Sequence, residues 1–455
     1  MVSEQREILA EWSKKVRIGR MSRRSFLAST VALGLSSSAA LTLLEGCAAP
    51  SGSGPSITYW NLFGGGDGAR MIQMENAFAQ SNPHIHLQPV TLAWGDPYYT
   101  KLTMASAGGR PPDVAISHMT RVATYVAQDL LEPFDLNELA KYDIAEDKFL
   151  SPIWQRAHHG DKVYAIPLDT HPFVMYYNVE ICRKAGLLDA DGNLKPFQGI
   201  NGVLDAFKSA KEASGGYGVV FEIQGVTPWR LFYSLYSQLG GAIFTPDNKE
   251  LALDDAKAEQ ALSFMADLTI NTKVAASNID YAGSVALFGG GKSAFLWNGE
   301  WEVTTFENQK GFEFSMAPFP LVFDKYRVQA DSHSFVLPRQ IATDPERRSA
   351  SLEFISYMLK NSYEWAQGGH VPSYLPVTDS EEYKKLKPQS NYASVASNVV
   401  FDPNAWFSGS GSELENQAGA AFQTILNGQA SPQQGLRQFR DALQKLLSIK
   451  LPFQQ

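Results

Sequence analysis

The amino-acid sequence predicts an α/β fold with a sheet that is at least partly parallel. Apolar stretches of strand length alternate with segments of helical periodicity from residue 57 onward. The 455 residues are enough for two or three domains, and a composition of 44% hydrophobic and 19% charged residues is ordinary for a globular protein. Strands separated by helices imply βαβ units, in which neighbouring strands run parallel.

The first elements after the N-terminal region follow this alternation. The first predicted helix begins at Asp67, has an apolar face and ends before Asn82-Pro83, and the second is stopped by Gly108-Gly109. The predicted strands comprise residues 57–60, 85–93 and 113–116, and the predicted helices comprise residues 67–81 and 98–107.

The middle of the chain contains polar residues between two extended stretches, 163–167 and 173–177. The segment Leu168-Asp169-Thr170-His171-Pro172 lies between them, which suggests a crossover or a site. Asp247-Asn248 predicts a hairpin turn between short strands. Helices then dominate and are predicted at residues 203–213, 229–238, 256–269, 298–306 and 344–360, with two more near the C-terminus.

The N-terminus has the pattern of an export signal. A basic region that includes Arg23 and Arg24 precedes an apolar stretch, 26–44, rich in small residues. Ser22-Arg23-Arg24-Ser25-Phe26-Leu27 resembles a twin-arginine signal. Leu44-Glu45-Gly46-Cys47 resembles a lipobox, although Glu45 departs from its usual small or aliphatic residue. We therefore expect a signal peptide at 1–46, lipidation of Cys47, a flexible tether at 47–56 and a location on the outer face of the membrane or in the periplasm.

The charge and cysteine content exclude some classes of function. The chain has 39 Lys and Arg against 47 Asp and Glu, a net charge of −8, and its leader is basic, so the remainder is more acidic still. Such a surface repels phosphate backbones, and we expect no nucleic-acid partner. With Cys47 lipidated, Cys182 has no partner and is expected to be a small buried residue.

Several motifs occur in an order that carries a family resemblance. They begin with the Tyr59-Trp60 strand, a glycine-rich loop and Asp67-Gly68, and the others are Pro111-Pro112-Asp113-Val114, Leu130-Leu131-Glu132-Pro133, Lys162-Val163-Tyr164-Ala165-Ile166-Pro167, Tyr176-Tyr177-Asn178, Lys184-Ala185-Gly186-Leu187, Gly291-Lys292-Ser293-Ala294-Phe295, Trp297-Asn298-Gly299-Glu300-Trp301 and His333-Ser334-Phe335-Val336. Their order and spacing resemble family 1 extracellular solute-binding proteins of ABC importers, the group that includes maltose- and multiple-sugar-binding proteins. The resemblance covers nearly all of the chain after the leader.

This resemblance implies a two-lobed periplasmic-binding-protein fold of type II, with a hinge and a ligand cleft between the lobes. Such proteins close on a ligand by hinge motion. The implied ligand is a sugar or oligosaccharide, the implied partners are the transmembrane subunits of an ABC permease, and we expect a monomer. The implied boundaries are 57–172 and 335–380 for the N-terminal lobe, 178–329 and 385–455 for the C-terminal lobe, and 173–177 and 330–334 for the hinge.

Sugars offer apolar C–H faces and many hydroxyls, so a sugar site needs aromatic rings and placed polar groups. The resemblance favours Trp301, because the second aromatic residue of that turn commonly stacks on sugar in the family. Asp67 has the alternative of a helix N-cap, and Asp169 with His171 has the alternative of an interstrand hydrogen-bond network. The other candidates, at predicted strand ends, helix starts and glycine-rich loops, are Trp60, Asn61, Trp94, His118, Trp229, Asn298, His333 and Tyr374.

Other chemistries have weaker support. His158-His159 and the pair His84 and His86 lack companion ligands at metal spacing, so we expect no metal and no cofactor. Two alternatives stay open. The same fold could bind a non-sugar solute, for which Arg121 and Arg230 are candidates, or the chain could be an extracellular carbohydrate-active hydrolase, which needs two carboxylates across a cleft.

Overall fold

The computed structural model describes residues 54–449. The predicted signal peptide and Cys47 lie outside the described residues, and of the predicted tether only residues 54–56 lie within them. Of the described residues, 57–83 and 87–449 belong to one compact unit, which contains two principal sheets. Within residues 54–449, no helix combines the length and the hydrophobicity needed to cross a bilayer.

The first sheet has six strands in the order β2-β1-β3-β13-β4, with β7 also paired to β13. β1 and β3 run parallel, as the βαβ pattern predicts, whereas β13 is antiparallel to β3. Side chains of β1 alternate between buried and partly buried, so the strand has one face in the core. The strands are β1 (Ser56–Asn61), β2 (His86–Thr91), β3 (Val114–His118), β4 (Leu131–Glu132), β7 (Ile166–Pro167) and β13 (His333–Pro338).

The second sheet has seven strands and is organised around β8. All ten residues of β8 are buried, and the strand is antiparallel to β10, β11, β12 and β14 along its length. β5 (His158–His159) and β6 (Lys162–Val163) form a separate hairpin. The strands of the second sheet are β8 (Asp169–Asn178), β9 (Tyr217–Val220), β10 (Ser293–Gly299), β11 (Phe314–Pro318), β12 (Val328–Asp331), β14 (Val371–Pro372) and β15 (Val399–Val400).

Helices cover both sheets and bury apolar faces against them. In the first part of the chain they are α1 (Gly68–Ser81), α2 (Asp96–Ala107), α3 (Met119–Ala127), α4 (Leu136–Ala140), α5 (Ser151–Arg156), α6 (Val179–Lys184), α7 (Gly199–Ser214) and α8 (Thr227–Gln238). The others are α9 (Asp255–Ala266), α10 (Tyr281–Gly289), α11 (Val303–Glu307), α12 (Pro345–Lys360), α13 (Ser362–Gln367), α14 (Leu375–Thr378), α15 (Glu381–Lys385), α16 (Glu413–Leu426) and α17 (Pro432–Ser448).

Most predicted elements are confirmed, with one clear exception at residues 298–306. The sequence predicts a helix there, but β10 continues to Gly299 and a 3-10 turn, Glu300–Glu302, precedes the short α11. Since β10 pairs with β8 on one side and β9 on the other, its backbone groups are committed to strand hydrogen bonds as far as residue 299. Asn298 is therefore a buried strand residue and not a helix cap.

Two other local expectations changed in detail. Asp67 precedes α1 but its side chain makes no capping hydrogen bond. The turn at Asp247-Asn248 is present, and an isolated bridge between Phe244 and Leu251 stands where short strands were expected. Cys182 is buried as expected, and burial raises the pKa of its thiol to about 12.

The chain passes between the two sheets at two adjacent places. Only Leu168 separates β7 from β8, and only Ser332 separates β12 from β13. The backbone N–H of Leu168 donates to the carbonyl of His333 at 2.8 Å, so the two crossovers are joined. The first crossover precedes residues 173–177, which lie within β8. Polar residues flank both crossovers, and they form the centre of the candidate site.

Candidate functional site

Four histidine rings surround the Asp169 carboxylate beside the two crossovers. We call His118, His171, His333 and His370 the histidine cluster. The rings of His171 and His333 stack with centroids 4.1 Å apart, and the His118 ring lies 4.7 Å from that of His333. Each of the five residues is at most 5% exposed. The cluster is thus a polar centre inside the protein.

Asp169 is the hydrogen-bond acceptor of this centre. Its Oδ1 accepts from Nδ1 of His171 at 3.0 Å and from the backbone N–H of His333 at 2.8 Å. Its Oδ2 accepts from Nδ1 of His333 at 2.8 Å and from Nε1 of Trp365 at 2.6 Å. Burial alone would raise the pKa of Asp169, but His333, His370 and His171 hold it well below its usual value. The carboxylate is therefore ionised at neutral pH.

His370 sits among three carboxylates. Its Nδ1 lies 3.1 Å from Glu300 and 3.3 Å from Asp169, and its Nε2 lies 3.4 Å from Asp67. Its ring stacks on Trp365 at 4.1 Å. Burial lowers the pKa of His370, but the carboxylates of Asp169, Asp67 and Glu300 outweigh burial and raise it to about 10. Asp67 thus contacts His370 and does not cap its helix.

The pKa values of two other histidines of the cluster, His171 and His118, are shifted in the opposite direction. Burial, followed by the charge of His333, lowers the pKa of His171 to about 3. The same two causes lower the pKa of His118 well below its usual value. The hydroxyl of Tyr99 hydrogen-bonds Nδ1 of His118. Both rings are therefore neutral at pH 7.

Two tryptophans and an arginine lie next to the cluster. The guanidinium of Arg230, on α8, is 5.8 Å from the ring centroid of Trp94 and 5.2 Å from that of Trp301. Trp301 is held by a hydrogen bond from its Nε1 to the hydroxyl of Tyr281 at 2.6 Å, and its ring is 6.0 Å from that of His171. Trp94 is 40% exposed. Two indoles facing one guanidinium provide apolar surfaces next to a hydrogen-bond donor.

Buried carboxylates form the opposite wall. Thr120 donates to both oxygens of Asp331, one through its hydroxyl and one through its backbone N–H. Oε1 of Glu415 makes no hydrogen bond and lies 4.0 Å from Nε of Arg230. Burial raises the pKa of Asp331 to about 7 and that of Glu415 to about 8. These groups can accept hydrogen bonds from a hydroxyl-bearing ligand.

A small cavity of about 10 Å³, with room for about one water molecule, lies among these residues. We call it the central cavity. Thr120, which follows the first sheet's β3, accepts a hydrogen bond from the backbone N–H of Ser410, ahead of α16. Four of the lining residues belong to β8 and β12 of the second sheet. Its lining residues are His171, Phe173, Arg230, Trp301, Gln329, Asp331, Ser410 and Glu415.

The structure brings together about half of the residues predicted for the site. Asp67 is linked to the histidine cluster through its contact with His370. The side-chain amide of Asn298 donates to the hydroxyl of Tyr281 at 3.2 Å, and Tyr281 in turn holds Trp301. The predicted residues that lie around the central cavity and the histidine cluster are Trp94, His118, Asp169, His171, Trp301 and His333.

Four predicted residues lie elsewhere. Trp60 has Lys101 5.5 Å above its ring, and Asn61 donates to Glu75 at 2.9 Å. The Tyr374 hydroxyl donates to Asp143 at 3.0 Å. Trp229 is fully buried and stacks on Tyr233. Successive helix residues point about 100° apart, so α8 directs Trp229 into the core and its neighbour Arg230 toward the cavity.

Several site residues were missed from the sequence. Arg230 was noted only for the non-sugar alternative, although it follows Trp229 directly. His370 directly follows the glycine pair Gly368-Gly369, in the same glycine-rich stretch as the predicted site residue Tyr374. Gly369 has φ +110°, and a Cβ there would lie 2.1 Å from the carbonyl oxygen of Glu300. A glycine pair can indicate such a close approach of two backbone segments, which here brings His370 to Glu300. Glu415 has no local signal, because it sits on an ordinary amphipathic helix.

Comparison with known proteins gives one family and several relatives. The profile of the bacterial extracellular solute-binding proteins matches residues 65–365. A putative binding protein of Brucella abortus is 29% identical over 170 residues, which is 36% of this chain and only 38% of that protein's length. A maltooligosaccharide ABC transporter solute-binding lipoprotein of Streptococcus pneumoniae is 23% identical over 342 residues, 69% of this chain and 75% of that protein.

A solved structure extends the likeness to the fold. An ABC substrate-binding protein of Listeria monocytogenes in complex with cycloalternan superposes with a TM-score of 0.72 at 20% identity, covering 88% of this chain and all of that one. At this identity the likeness establishes the fold alone. It confirms the predicted α/β fold of the two-lobed, maltose-binding-protein type.

Proposed function

The chain belongs to the bacterial extracellular solute-binding protein family, and from that membership we propose that it captures a sugar or an oligosaccharide in the central cavity and delivers it to an ABC permease. Members of this family bind substrates and are not enzymes, so the hydrolase alternative is set aside. The maltooligosaccharide-binding lipoprotein of Streptococcus pneumoniae supports the choice of ligand class.

The arrangement of Trp301 and Trp94 around Arg230 carries the proposal. An indole face stacks on the C–H face of a pyranose ring, and neighbouring charged groups bind its hydroxyls. Arg230 supplies donors, while Asp331 and Glu415 supply acceptors. Because Glu415 has an oxygen without a hydrogen bond, a ligand hydroxyl there would satisfy a buried polar atom.

Binding is coupled to closure in this proposal. The central cavity has a volume of about 10 Å³, far below the ~300–1,000 Å³ typical of ligand sites, so a sugar or oligosaccharide requires its walls to separate. The proposed lobes are built on the two sheets, and the proposed hinge lies at the crossovers beside Leu168 and Ser332, not at 173–177, which lie inside β8. A ligand shifts this equilibrium only by its preference for the closed form.

Attachment to the membrane is a further part of the proposal. Twin-arginine export, lipidation of Cys47 and a tether over 47–56 would hold a monomeric binding protein at the outer face of the membrane. Replacing Cys47 by alanine should abolish labelling of the protein with a radioactive fatty acid in the native host, and labelling that persists in the variant would refute lipidation at Cys47.

The decisive experiment is a thermal-shift screen of the chain from residue 48 onward. A ligand that binds the folded state raises the melting temperature increasingly as its concentration exceeds Kd. We expect maltooligosaccharides or other sugars to give such a rise, confirmed by calorimetry. Stabilisation by an organic anion or a peptide, with none by any sugar, would favour the non-sugar alternative, for which Arg230 is the available cation.

A further inference from the structure

The histidine cluster contains a set of donor atoms arranged closely enough to hold a metal ion. One ligand atom from each of Asp169, His171, His333 and His370 lies within 4.8 Å of the other three, and all four residues are buried. Three imidazole nitrogens with one carboxylate oxygen are a donor set that suits zinc and related transition metals. Magnesium and calcium prefer oxygen ligands.

The distances fit the edges of a zinc tetrahedron. Ligands about 2.0 Å from zinc at tetrahedral angles are about 3.3 Å from one another. Oδ2 of Asp169 is 2.8 Å from Nδ1 of His333 and 3.3 Å from Nδ1 of His370, and Oδ1 of the same carboxylate is 3.0 Å from Nδ1 of His171. The distances to His333 and His171 also fit hydrogen bonds. The distance between Asp169 and His370 does not correspond to a hydrogen bond, because neither ring nitrogen of His370 makes a hydrogen bond.

Both ring nitrogens of His370 face carboxylate oxygens. In the tautomer with the proton on Nε2, the Nδ1 lone pair faces oxygens of Asp169 and Glu300. In the other tautomer, the Nε2 lone pair faces Asp67. Both ring nitrogens and both Glu300 oxygens are buried without hydrogen bonds, which is costly unless another group satisfies them.

We propose that Asp169, His171, His333 and His370 bind one zinc ion, with Nδ1 of His370 as a ligand. The N–H on Nε2 of His370 then faces Asp67, the kind of carboxylate partner that orients metal-binding histidines. The charge of the ion also compensates Glu300, 3.1 Å from Nδ1. This proposal departs from the sequence-based expectation of no metal, because the ligands come from distant parts of the chain.

The ion would have a structural role, and one of its ligands, His171, also lines the central cavity. Asp169 and His171 belong to β8 of the second sheet, and His333 belongs to β13 of the first. Zinc would therefore join the two sheets where the chain crosses between them. The proposal does not depend on the identity of the solute and can hold whether or not the solute is a sugar.

The test uses the chain from residue 48 onward with an affinity tag that contains no histidine. The chelator-treated protein is titrated with zinc chloride by calorimetry, and metal content is measured after gel filtration. We expect one zinc per chain, a melting temperature that rises until one equivalent is added, and a visible absorption spectrum of tetrahedral type with cobalt. Magnesium should produce none of these effects.

Substitutions test whether the histidine cluster, and not another histidine of the chain, binds the zinc. His370→Gln should weaken zinc binding at least ~10-fold and abolish the tetrahedral cobalt spectrum, judging by the losses that follow even indirect changes to metal sites. The matched control is His86→Gln, an exposed residue of β2, which should bind as the wild type does. If His370→Gln does not fold, His171→Gln serves in its place.

Two results would overturn the proposal. The first is a wild-type protein that takes up less than a stoichiometric amount of zinc both as purified and after titration, which would leave His370 as a protonated ion-pair partner. The second is unchanged zinc affinity in His370→Gln, which would locate the metal elsewhere. Neither result would bear on solute binding, which the thermal-shift screen tests separately.

Discussion

Nδ1 of His333 lies 2.8 Å from Oδ2 of Asp169, although the two residues are 164 positions apart in the chain. The backbone N–H of His333 donates to the other oxygen of the same carboxylate. Trp365 adds a donor from a third part of the chain. One buried carboxylate therefore holds together both crossovers and a helix.

Asp169→Asn should destabilise the protein strongly. The amide keeps the size of the carboxylate but loses its charge and one acceptor, so donors from His171, His333 and Trp365 are left poorly satisfied. Breaking a buried charged pair on one side costs about 3–5 kcal/mol. Urea unfolding with a chelator present measures the loss. The control Asp191→Asn, at an exposed position, should change the unfolding free energy by less than about 0.5 kcal/mol.

Trp301→Ala should cost about 2 kcal/mol or more of sugar affinity, roughly 30-fold in Kd, because an aromatic anchor in a desolvated site carries much of the binding energy. Isothermal titration with the sugar found by screening measures this loss. Trp60→Phe, outside the central cavity, should leave Kd unchanged. An unaltered Kd in Trp301→Ala would remove this indole from the binding surface.

Gly66→Val should weaken ligand binding by about tenfold or more with little loss of stability. A Cβ at Gly66 would be 2.9 Å from Oγ1 of Thr305 and 3.0 Å from the carbonyl of Trp301, so valine forces the two segments apart. If binding needs the closed form, apparent affinity falls with its population.

Gly64→Val is the matched control, since a Cβ at Gly64 meets no atom within 4 Å. Titration calorimetry of both variants gives the comparison, and thermal melting reports their stability. Equal affinities in the two valine variants would contradict a requirement for contact between residue 66 and the 301–305 segment.

Glu415 should make the ligand-free protein less stable as pH rises from about 4.5 to 8. Burial raises its pKa from 4.5 to about 8, so the folded state holds a proton that the unfolded state has already released. This contribution is fully present below pH 4.5 and is lost as pH rises through 8. Because a pKa difference of one between the folded and unfolded states is equivalent to about 1.4 kcal/mol, the loss is on the order of a few kcal/mol.

Glu415→Gln removes this titration. Urea curves at pH 5, 6.5 and 8 give the unfolding free energy of both proteins. As pH increases, the unfolding free energy of the wild type should decrease relative to that of the variant. Parallel pH profiles would show that the carboxyl keeps an ordinary pKa in the folded protein.

Local patterns predicted the regular elements well. The spacing of Met71, Met74 and Phe78 located α1, and the apolar strand before His118 located β3, because these signals depend only on neighbouring residues. The prediction for residues 298–306 was wrong because pairing with β8 and β9 extends β10, and such pairing depends on residues far along the chain.

The candidate site was predictable where the chain marks it locally or where the family resemblance indicates it. Polar residues between apolar strands pointed to Asp169 and His171, whereas the resemblance implied the hinge at 330–334, which contains His333, and favoured Trp301. His370 and Glu415 gain their importance from tertiary contacts alone, with Glu300 and Arg230 respectively. Trp229 shows the limit of residue type as a guide, because the adjacent position on the helix faces the cavity.

The inner position of β13 in the first sheet has a consequence for biosynthesis. β1 and β3 emerge early from the ribosome, but β3 has an unpaired edge on its β13 side until residues 333–338 have been made. Exposed strand edges promote aggregation, so the nascent chain faces a long vulnerable interval. Fragments ending before residue 333 should therefore be poorly soluble, and chaperones that shield strand edges should improve yields of the intact chain.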